Sequence, residues 1–471
     1  MKKIPMKKNL KLMQYFLKSL RSIYIKQNKS KRKQEEIKMR KSKFLSVLTA
    51  TTLALTLAVP TVMPLELTTG VVKAVEVTTT APSQKIEGRC GDNAIYSYDK
   101  ATRTLTISGT GAMWNGTKYS NLGAVDKIVI GNGITVIGED AFAQFNGVGS
   151  AEISDTVTTI KSNAFHYLDS ITIPKTVRTV ETDAFYSVGK VVVEGDMNNF
   201  QYGALGISVD EVQLKGSAET LGLALAKVRE RDYLSVTITK DNNRCRIANG
   251  CLVSSDGKTV YYHISDSNKV TIPDTAVTIK SAAFYNQGIS EVKLGKNVKT
   301  IEPYAFAESD VSKLTTNSKL KKIGRCAFKG TDLKKVTLKS SVAMGPKAFD
   351  QKVILTSTKS LKSAKTVMTS ATFKKNKINA KFAKLTGAKG YQVQIKKGGK
   401  TYKYFTTKTS IKVKAPKVFK KKYNVSFSYD IDNYTSKIEG KPAYISVRPY
   451  KIVKKNKKSY GKWSEKIVLT K

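Results

Sequence analysis

The side chains of this sequence that could perform chemistry are two histidines, four cysteines and scattered carboxylates. His166 and His263 have no Ser or Cys partner at a spacing that indicates a catalytic triad. The carboxylates occur as scattered pairs, and such pairs are usually solvated: Glu139 with Asp140, and Glu230 with Asp232. No group of His and Cys has zinc-ligand spacing. The sequence therefore predicts a protein that is not an enzyme, with no catalytic residue, cofactor or metal site.

Charge is distributed unevenly along the 471 residues, whose formal net charge is +46. Residues 1–43 contribute +14, residues 44–358 contribute +5 and residues 359–471 contribute +27. The long middle segment is thus close to neutral, as an ordinary globular segment is. An argument from charge about binding partners applies only to the two ends.

An apolar, uncharged stretch over 44–63 follows Lys41 and Lys43, and a small-x-small site ends at Ala74. These are the parts of a secretory signal. We predict a basic extension and signal over 1–74, a linker over 75–85, and a secreted or wall-associated mature chain without a transmembrane segment. Nucleic acid is not expected as a partner after export. The true start, Met1 or Met39, stays open, because 1–38 also has the pattern of a basic amphipathic helix.

Internal repeats are the strongest signal. The dipeptide Ala-Phe occurs seven times, beginning at Ala141, Ala164, Ala184, Ala283, Ala305, Ala327 and Ala348, with steps of 20–23 residues inside each of two clusters. Pairs such as Ile128 and Ile130 alternate between these dipeptides, and alternate strand residues point to the same side. Stacked units would close one core, with phenylalanine filling it as a packing residue and not as a ligand ladder.

These features predict an N-terminal cap over 86–124 and a solenoid over 125–356. Between Phe185 and Phe284 no Ala-Phe occurs, and we interpret this segment as degenerate repeats with a hairpin inserted near 242–265. Asp256-Gly257 would form the hairpin turn.

The pattern from Ile171 to Phe185, like that from Val270 to Phe284, resembles the repeat of BspA-like leucine-rich-repeat proteins. The segment 242–259 is similar to the hairpin that interrupts these arrays, and the segment 90–113 is similar to the one that opens them. The resemblance covers about residues 86–355. It implies a cell-surface or secreted protein, often credited with adhesion, without catalytic activity.

The cysteines can be placed on this repeat. Cys245 and Cys251 are close in sequence at the start of the hairpin, so they are candidates for a disulfide. Cys326 precedes an Ala-Phe where other repeats have polar residues, which predicts an exposed thiol that is free or forms an intermolecular bond. A bridge from Cys90 to Cys326 would span most of the solenoid, which disulfide geometry excludes.

Residues 371–471, after a linker over 357–370, read as a basic β-sandwich made of short strands. The strands predicted at 387–395, 409–414, 444–450 and 467–469 resemble fibronectin type III-like modules that end many secreted Gram-positive repeat proteins. Phe382 stands where that pattern expects a core tryptophan, and Trp463 is expected to supply the missing core aromatic.

The lysines of this module either form a solvated face or bind a polyanion such as an anionic wall polymer or an acidic glycan, in a salt-sensitive way. The candidate contacts are Lys396, Lys397, Lys400, Lys420, Lys421, Lys422, Lys454, Lys455, Lys457 and Lys458.

The outward positions of the repeat strands would form a recognition face. Its candidate residues are Lys127, Val129, Glu152, Thr172, Gln213, Glu291, Lys293, Lys313, Lys335 and Thr337. They are mostly polar, of mixed charge and without an aromatic anchor, which favours weak, distributed contact or a purely structural sheet.

Together these patterns predict a mainly β chain: a leucine-rich-repeat solenoid of short parallel strands and short helical or 3-10 turns, followed by a β-sandwich. The expected function is adhesion to host or neighbouring-cell proteins or glycans. The alternatives are a wall-associated spacer without a specific ligand and an accessory part of a carbohydrate-active enzyme system.

Overall fold

The computed structural model describes most of the chain after its first 84 residues. The described ranges are 85–228, 234–358, 360–416, 419, 424–425, 438–439, 442–453 and 456–469. The predicted extension and signal lie outside them, as do Glu230, Asp232 and five of the predicted polyanion contacts: Lys420, Lys421, Lys422, Lys454 and Lys455. Among the described residues, no helix is long and apolar enough to cross a membrane.

Three strands open the folded part as an antiparallel meander: β1 (Lys85–Arg89), β2 (Gly91–Asp99) and β3 (Thr104–Met113). The first half of β3 then pairs in parallel with β4 (Lys127–Ile130), and its second half pairs with β5 (Ile134–Ile137). One long strand therefore starts both walls of the solenoid and covers the first edge of the core.

The solenoid has about 11 turns. In its first array, a broad wall is formed by β4 and by strands that stack on it in parallel: β6 (Val148–Ile153), β8 (Phe165–Ile173), β10 (Phe185–Val193), β11 (Ser208–Leu214) and β12 (Ser235–Ile238). The narrow wall continues from β5 with β7 (Thr159–Ile160) and β9 (Thr179–Val180), and a short helix, α1 (Leu221–Ala224), follows β11.

Side-chain alternation gives each broad strand one buried and one solvent-facing side. In β4, Ile128 and Ile130 are buried, whereas Lys127 and Val129 are half-exposed. Ile128 is in register with Ala151 of the next coil, so the inward residues form columns. A one-residue slip would turn every apolar side chain towards water, and this cost holds the register.

The seven phenylalanines of the Ala-Phe dipeptides are all at most 1% exposed. They form two stacks, in which the ring of Phe306 lies 5.0 Å from that of Phe328, and Phe328 lies 5.1 Å from Phe349. The Phe306 N–H donates to the Ala327 carbonyl at 2.8 Å, and similar bonds link the other coils. The prediction that these residues pack the interior agrees with their burial.

Each residue before an Ala-Phe adopts a left-handed backbone conformation, with φ between 53° and 58°. These residues are Asp140, Asn163, Asp183, Ala282, Tyr304, Cys326 and Lys347. In this conformation the N–H of Tyr304 donates to the Arg325 carbonyl of the next coil at 3.0 Å. The turn therefore directs a backbone donor along the solenoid axis before the chain enters the core.

The segment predicted as an inserted hairpin contains three antiparallel strands: β13 (Cys245–Ala248), β14 (Cys251–Ser254) and β15 (Thr259–His263). Asp256 and Gly257, which has a φ of 71°, lie in the β14–β15 turn. Both faces of β14 and β15 are buried: Leu252 packs into the core of the first array and Val253 into that of the second. The strands therefore form a septum between two cores instead of projecting from the solenoid.

The second array repeats the two-wall pattern on the other side of the septum. Its broad strands are β16 (Lys269–Thr271), β18 (Glu291–Lys293), β20 (Lys313–Thr315), β22 (Lys335–Leu338) and β24 (Ile354–Ser357). Its narrow strands are β17 (Thr278–Ile279), β19 (Thr300–Ile301), β21 (Lys322–Ile323) and β23 (Ala343–Met344), which continue in parallel from β15.

The arrays also meet beside the septum. Gly222 of α1 lies so close to the next array that a Cβ there would be 2.7 Å from the carbonyl carbon of Ala282. Lys280 forms ion pairs with Glu219 of the first array at 3.0 Å and with Glu302 of the second at 3.5 Å. Burial alone would lower the pKa of Lys280, but these two carboxylates outweigh it and raise that pKa.

The C-terminal part begins with a 3-10 turn (Leu361–Ser363). Its strands are β25 (Met368–Lys374), β26 (Lys377–Phe382), β27 (Lys384–Leu385), β28 (Gly390–Lys397), β29 (Lys400–Thr406), β30 (Ser410–Lys414), β31 (Asn424–Val425), β32 (Ile438–Glu439), β33 (Tyr444–Ile452), β34 (Lys458–Tyr460) and β35 (Ile467–Val468). One antiparallel sheet has the order β25-β26-β30; the other has the order β29-β28-β33-β34, with β35 also on β33.

The predicted linker over 357–370 contains residues that are buried. Val367 and Met368 are each 1% exposed and belong to the hydrophobic cluster that also contains Phe349 of the last coil. In addition, β27 pairs in parallel with β24. The core of the second array therefore continues into the C-terminal sheets, because the last coil would otherwise leave an open apolar end.

The core aromatic of the C-terminal sheets also differs from the prediction. Phe382 is 0% exposed and packs against the ring of Tyr391 at 4.7 Å. Trp463 is only half-buried and lies against Arg448, at 4.6 Å, and not in the core. Tyr391 therefore packs with Phe382 in the place where Trp463 was expected.

Candidate functional site

The two histidines lie on different strands of the solenoid: His166 is on β8 of the first array and His263 is on β15 of the septum. His263 is 5% exposed, and its Nδ1 lies 2.9 Å from Oε1 of Gln287. Burial lowers the pKa of His263, while Gln287 and Asp266 act in the opposite direction. Within the described part of the chain, no three His, Cys, Asp or Glu side chains come close enough together to hold a metal ion.

The cysteines correct two sequence predictions. Cys245 and Cys251 are free thiols, and so are Cys90 and Cys326. The strand register pairs Cys245 with Ser254 and Cys251 with Ala248. The two cysteines are therefore offset by three residues, which separates them by about 10 Å along the strand direction. This offset exceeds the Cα separation that a disulfide spans. Cys326 is 2% exposed and is not a surface thiol. Its left-handed φ does not decide this, because Asp140 and Lys347 share that conformation and are exposed.

The predicted recognition residues point outward, but they do not lie on one sheet. Lys127, Val129, Glu152, Thr172 and Gln213 share the broad wall of the first array. The other five divide between two further sheets: Glu291, Lys293 and Lys313 on β18 and β20, and Lys335 and Thr337 on β22. The septum, and the loss of strand pairing between β20 and β22, interrupt the face.

A groove of about 630 Å³ crosses the broad wall of the first array over β6, β8 and β10. The small outward side chains of Ser150, Ser170 and Thr172 form its floor. Glu152 and Lys190 line it as well, together with Asn132, Asp155 and Glu194. Its lining offers hydroxyl, carboxylate and ammonium groups on neighbouring strands. Such a surface can hydrogen-bond to a polar ligand.

Charged side chains on this wall form ion pairs between neighbouring coils. Lys127 lies 2.6 Å from Glu152, and Lys190 lies 3.1 Å from Glu211. On the second array, Lys313 lies 3.3 Å from Glu291. These pairs are solvent-exposed, and such pairs contribute at most about 1 kcal/mol each, so a charged ligand can displace them.

An exposed aromatic cluster on the first array was missed by the sequence analysis. The His166 ring lies 5.1 Å from the Tyr186 ring, and the Tyr167 ring lies 5.5 Å from Tyr186. Both tyrosines are about 40% exposed. His166 and Tyr186 each follow an Ala-Phe dipeptide, so the spacing of the repeat could have located the cluster.

The predicted polyanion contacts divide into two groups. Lys396, Lys397 and Lys400 lie at the β28–β29 turn, and Lys457 and Lys458 lie at the β33–β34 turn. Because Lys396 pairs with Tyr444 and Lys458 with Ile452, the groups lie at opposite ends of the sheet, about 26 Å apart. They cannot form one compact patch, although an extended polymer could contact both.

The repeat geometry has a counterpart among known families. The model of the BspA type leucine rich repeat region family matches in six copies, over residues 99–206 and 256–379. The matched residues contain all seven Ala-Phe dipeptides, so the repeats of the solenoid are similar to BspA-type leucine-rich repeats. The BspA-type matches leave out 207–255, which contains α1 and most of the septum.

Three solved structures resemble this chain. A leucine-rich repeat protein from Eubacterium ventriosum is 18% identical, with a TM-score of 0.37 over 59% of this chain and 86% of that chain. The pneumococcal vaccine antigen PcpA is 14% identical, with a TM-score of 0.35 over 58% and 82%. A leucine rich cell surface protein from Faecalibacterium prausnitzii is 16% identical, with a TM-score of 0.37 over 57% and 88%. No curated protein matches the chain.

Proposed function

We propose that this chain is an exported, non-catalytic binding protein that acts in adhesion. The broad wall of the first array would contact proteins or glycans of a host or a neighbouring cell. The basic C-terminal sheets would bind anionic polymers of a cell wall. The proposal places the mature chain outside the cell, in keeping with the apolar stretch over 44–63 and with the BspA-type repeats.

The groove over β6, β8 and β10 is the observation that carries the binding role. On β6 and β8 its floor is made of small polar side chains on strands about 4.8 Å apart, so hydrogen-bonding groups lie at that interval, and Val192 of β10 adds an apolar contact. A rigid core below holds these strands in place, which reduces the entropy lost on binding. An extended, polar ligand such as a glycan or a peptide fits this arrangement.

A structural spacer is the second candidate, and the ion pairs favour it. Lys127 with Glu152 and Lys190 with Glu211 neutralise outward charges between coils. A wall whose charges serve mainly to join coils needs no ligand. The two functions differ in one measurable property, which is whether changing the groove floor alters binding.

Thr172→Arg tests the groove, because a long side chain would fill its floor. Thr315→Arg is the matched control, since Thr315 is an exposed outward residue on the second array. We expect Thr172→Arg to abolish binding to epithelial cells and to an immobilised glycan panel, and Thr315→Arg to retain it. Equal binding by both variants would leave the spacer as the better description.

Wall docking needs a test that leaves the core intact. Cutting the chain near residue 358 would expose Phe349 and Leu355, which share a core with the C-terminal sheets. We therefore compare two sets of Lys→Gln changes with equal loss of charge. The test set is Lys396, Lys400, Lys457 and Lys458. The control set of exposed solenoid lysines is Lys299, Lys321, Lys322 and Lys352.

Retention on washed Gram-positive cell walls across a salt series is the measurement. The unchanged protein should be released progressively as salt rises, because counterions compete for the polymer. The test set should be released at lower salt than the control set. Retention that is insensitive to salt, or equal for both sets, would contradict docking through these sheets.

A further inference from the structure

A row of aromatic rings crosses the outer face of the five-stranded sheet. The Phe405 ring lies 6.0 Å from the Tyr450 ring, and Tyr450 lies 6.1 Å from Tyr460. Tyr450 covers Gly390, where a Cβ would come within 2.5 Å of the tyrosine hydroxyl. Glycine at this position therefore lets the row lie close to the sheet.

Phe405 is the member of this row that packing does not explain. It is 48% exposed on the edge strand β29, whereas its register partner Gln392, on the same face of the sheet, is only 4% exposed. The neighbouring column of Val393 and Tyr404 faces the core instead. Aromatic side chains are enriched in the contact surfaces of binding proteins, so an exposed ring beside cations is a candidate contact.

Cations surround this ring. The Lys458 Nζ lies 5.0 Å from the centre of Phe405 and 5.6 Å from that of Tyr450. Lys403 precedes Phe405 by two residues on the same face and is exposed. Neither lysine forms an ion pair with a carboxylate among the described residues. The local field is positive, because residues 359–471 contain 31 basic and four acidic side chains.

Arg448 has a different role at the far end of the row. Its guanidinium lies 3.9 Å from the Tyr460 ring and 4.6 Å from the Trp463 ring, and its Nε donates to Gln392 Oε1 at 2.8 Å. These contacts explain the position of Arg448 as side-chain packing on the sheet. Through Gln392, the register partner of Phe405, these contacts connect Arg448 to the part of the sheet that carries the exposed ring.

We infer that this face binds an acidic polysaccharide, with a sugar ring on Phe405 and its carboxylate or sulfate on Lys458. The apolar face of a pyranose ring packs on an aromatic ring, and the lysines match the charge of the polymer. A polyanion without rings would use only the lysines. The inference rests on the proposed docking of polyanions to these sheets and names the chemistry of that partner.

Single-stranded nucleic acid has the same two features, since its bases also stack on aromatic side chains. The apolar stretch over 44–63 favours a partner found outside cells, and so favours the polysaccharide. Nucleic acid is therefore an outcome of the test and not the proposal.

The experiment measures binding of the purified protein to polygalacturonate, to long-chain polyphosphate and to oligo(dT) at equal concentration of charge. Phe405→Ala removes the exposed ring, and Trp114→Ala is its control, as an exposed aromatic that directly follows β3. Lys458→Gln removes the adjacent cation, and Lys412→Gln is its control, as an exposed lysine on β30 of the other sheet.

We expect Phe405→Ala and Lys458→Gln each to weaken polygalacturonate binding about tenfold, as residues at the centre of a binding site do, while the controls change it less than about twofold. Phe405→Ala should leave polyphosphate binding unchanged. Equal effects of Lys458→Gln and Lys412→Gln, with no effect of Phe405→Ala, would overturn this inference but leave polyanion docking intact. Tighter binding of oligo(dT) would also overturn it, and no binding of any polyanion would contradict the proposed docking itself.

Discussion

His263 stacks on Phe284 at the septum, with ring centres 5.5 Å apart and an interplanar angle of 30°. The His263 N–H donates to the Ala283 carbonyl, as the Phe284 N–H donates to Ala305 one coil later. His263 therefore occupies the place of a phenylalanine and begins the second aromatic stack. Tyr119 begins the first stack, with its ring 5.9 Å from that of Phe142, although its backbone N–H donates to Gln144 Oε1.

The position of His263 predicts an acid-sensitive fold. Burial lowers its pKa in the folded chain below the value of about 6.5 in the unfolded chain. The unfolded chain therefore takes up a proton first, and the free energy of unfolding falls as the pH drops below about 6.5. His263→Phe should lose less stability between pH 7.5 and pH 5 than the unchanged protein in urea titrations. His166→Gln is the control for removal of a histidine outside the septum, and identical slopes for all three proteins would rule out this role of His263.

The phenylalanine stacks predict a strong contrast between two positions. Phe328→Ala should lower the free energy of unfolding by about 3–5 kcal/mol, because it opens a cavity between two stacked rings. Phe405→Ala should change stability by less than about 0.5 kcal/mol, since that ring is exposed. Chemical denaturation of both variants is the measurement, and a similar loss in the two would show that the stacks add little.

The repeated left-handed turn predicts a stabilising substitution. Lys347 has a φ of 58° and is exposed. This left-handed conformation is sterically unfavourable for lysine, and asparagine adopts it more readily. Lys347→Asn should raise the free energy of unfolding by about 0.5–1 kcal/mol. Lys352→Asn is the control, because Lys352 is exposed with a negative φ and should gain nothing. The same change in both would assign the effect to charge and not to backbone strain.

The contact between the arrays predicts opposite effects of two Gly→Ala changes. Gly222→Ala should destabilise by about 1–3 kcal/mol, because its Cβ would overlap the Ala282 backbone. Gly288→Ala should be neutral or stabilising, since nothing lies within 4 Å of the added carbon. Thermal unfolding would distinguish them, and an unchanged Tm in Gly222→Ala would mean that the arrays can separate without cost.

The buried thiols predict a chain that is inert to alkylation while folded. Burial raises the pKa of Cys90 and of Cys245 to about 11 and that of Cys251 to about 12, so little reactive thiolate forms near neutral pH. Iodoacetamide should label the native protein slowly and modify four cysteines after unfolding in guanidinium. Rapid labelling of one thiol, or a disulfide-linked dimer on a non-reducing gel, would contradict the burial of Cys326.

The sequence alone determined the parts that depend on local periodicity. Alternating pairs such as Ile128 and Ile130 located the strands, and the recurring Ala-Phe located residues such as Phe328 in the core, because a coil that repeats its phase must repeat its burial. The strands β28, β30, β33 and β35 also lie where alternation and turn residues predicted them.

Tertiary structure decided what depends on which elements become neighbours. The septum divides the core because both faces of β14 are apolar, and no local pattern states which array each face will meet. The same is true of the separation of Lys396 from Lys458, which follows from strand order. It is also true of the burial of Cys326, because Lys347 has the same left-handed φ and is exposed. Periodicity specifies the direction of a side chain from its own backbone, whereas pairing between distant segments specifies what that side chain touches.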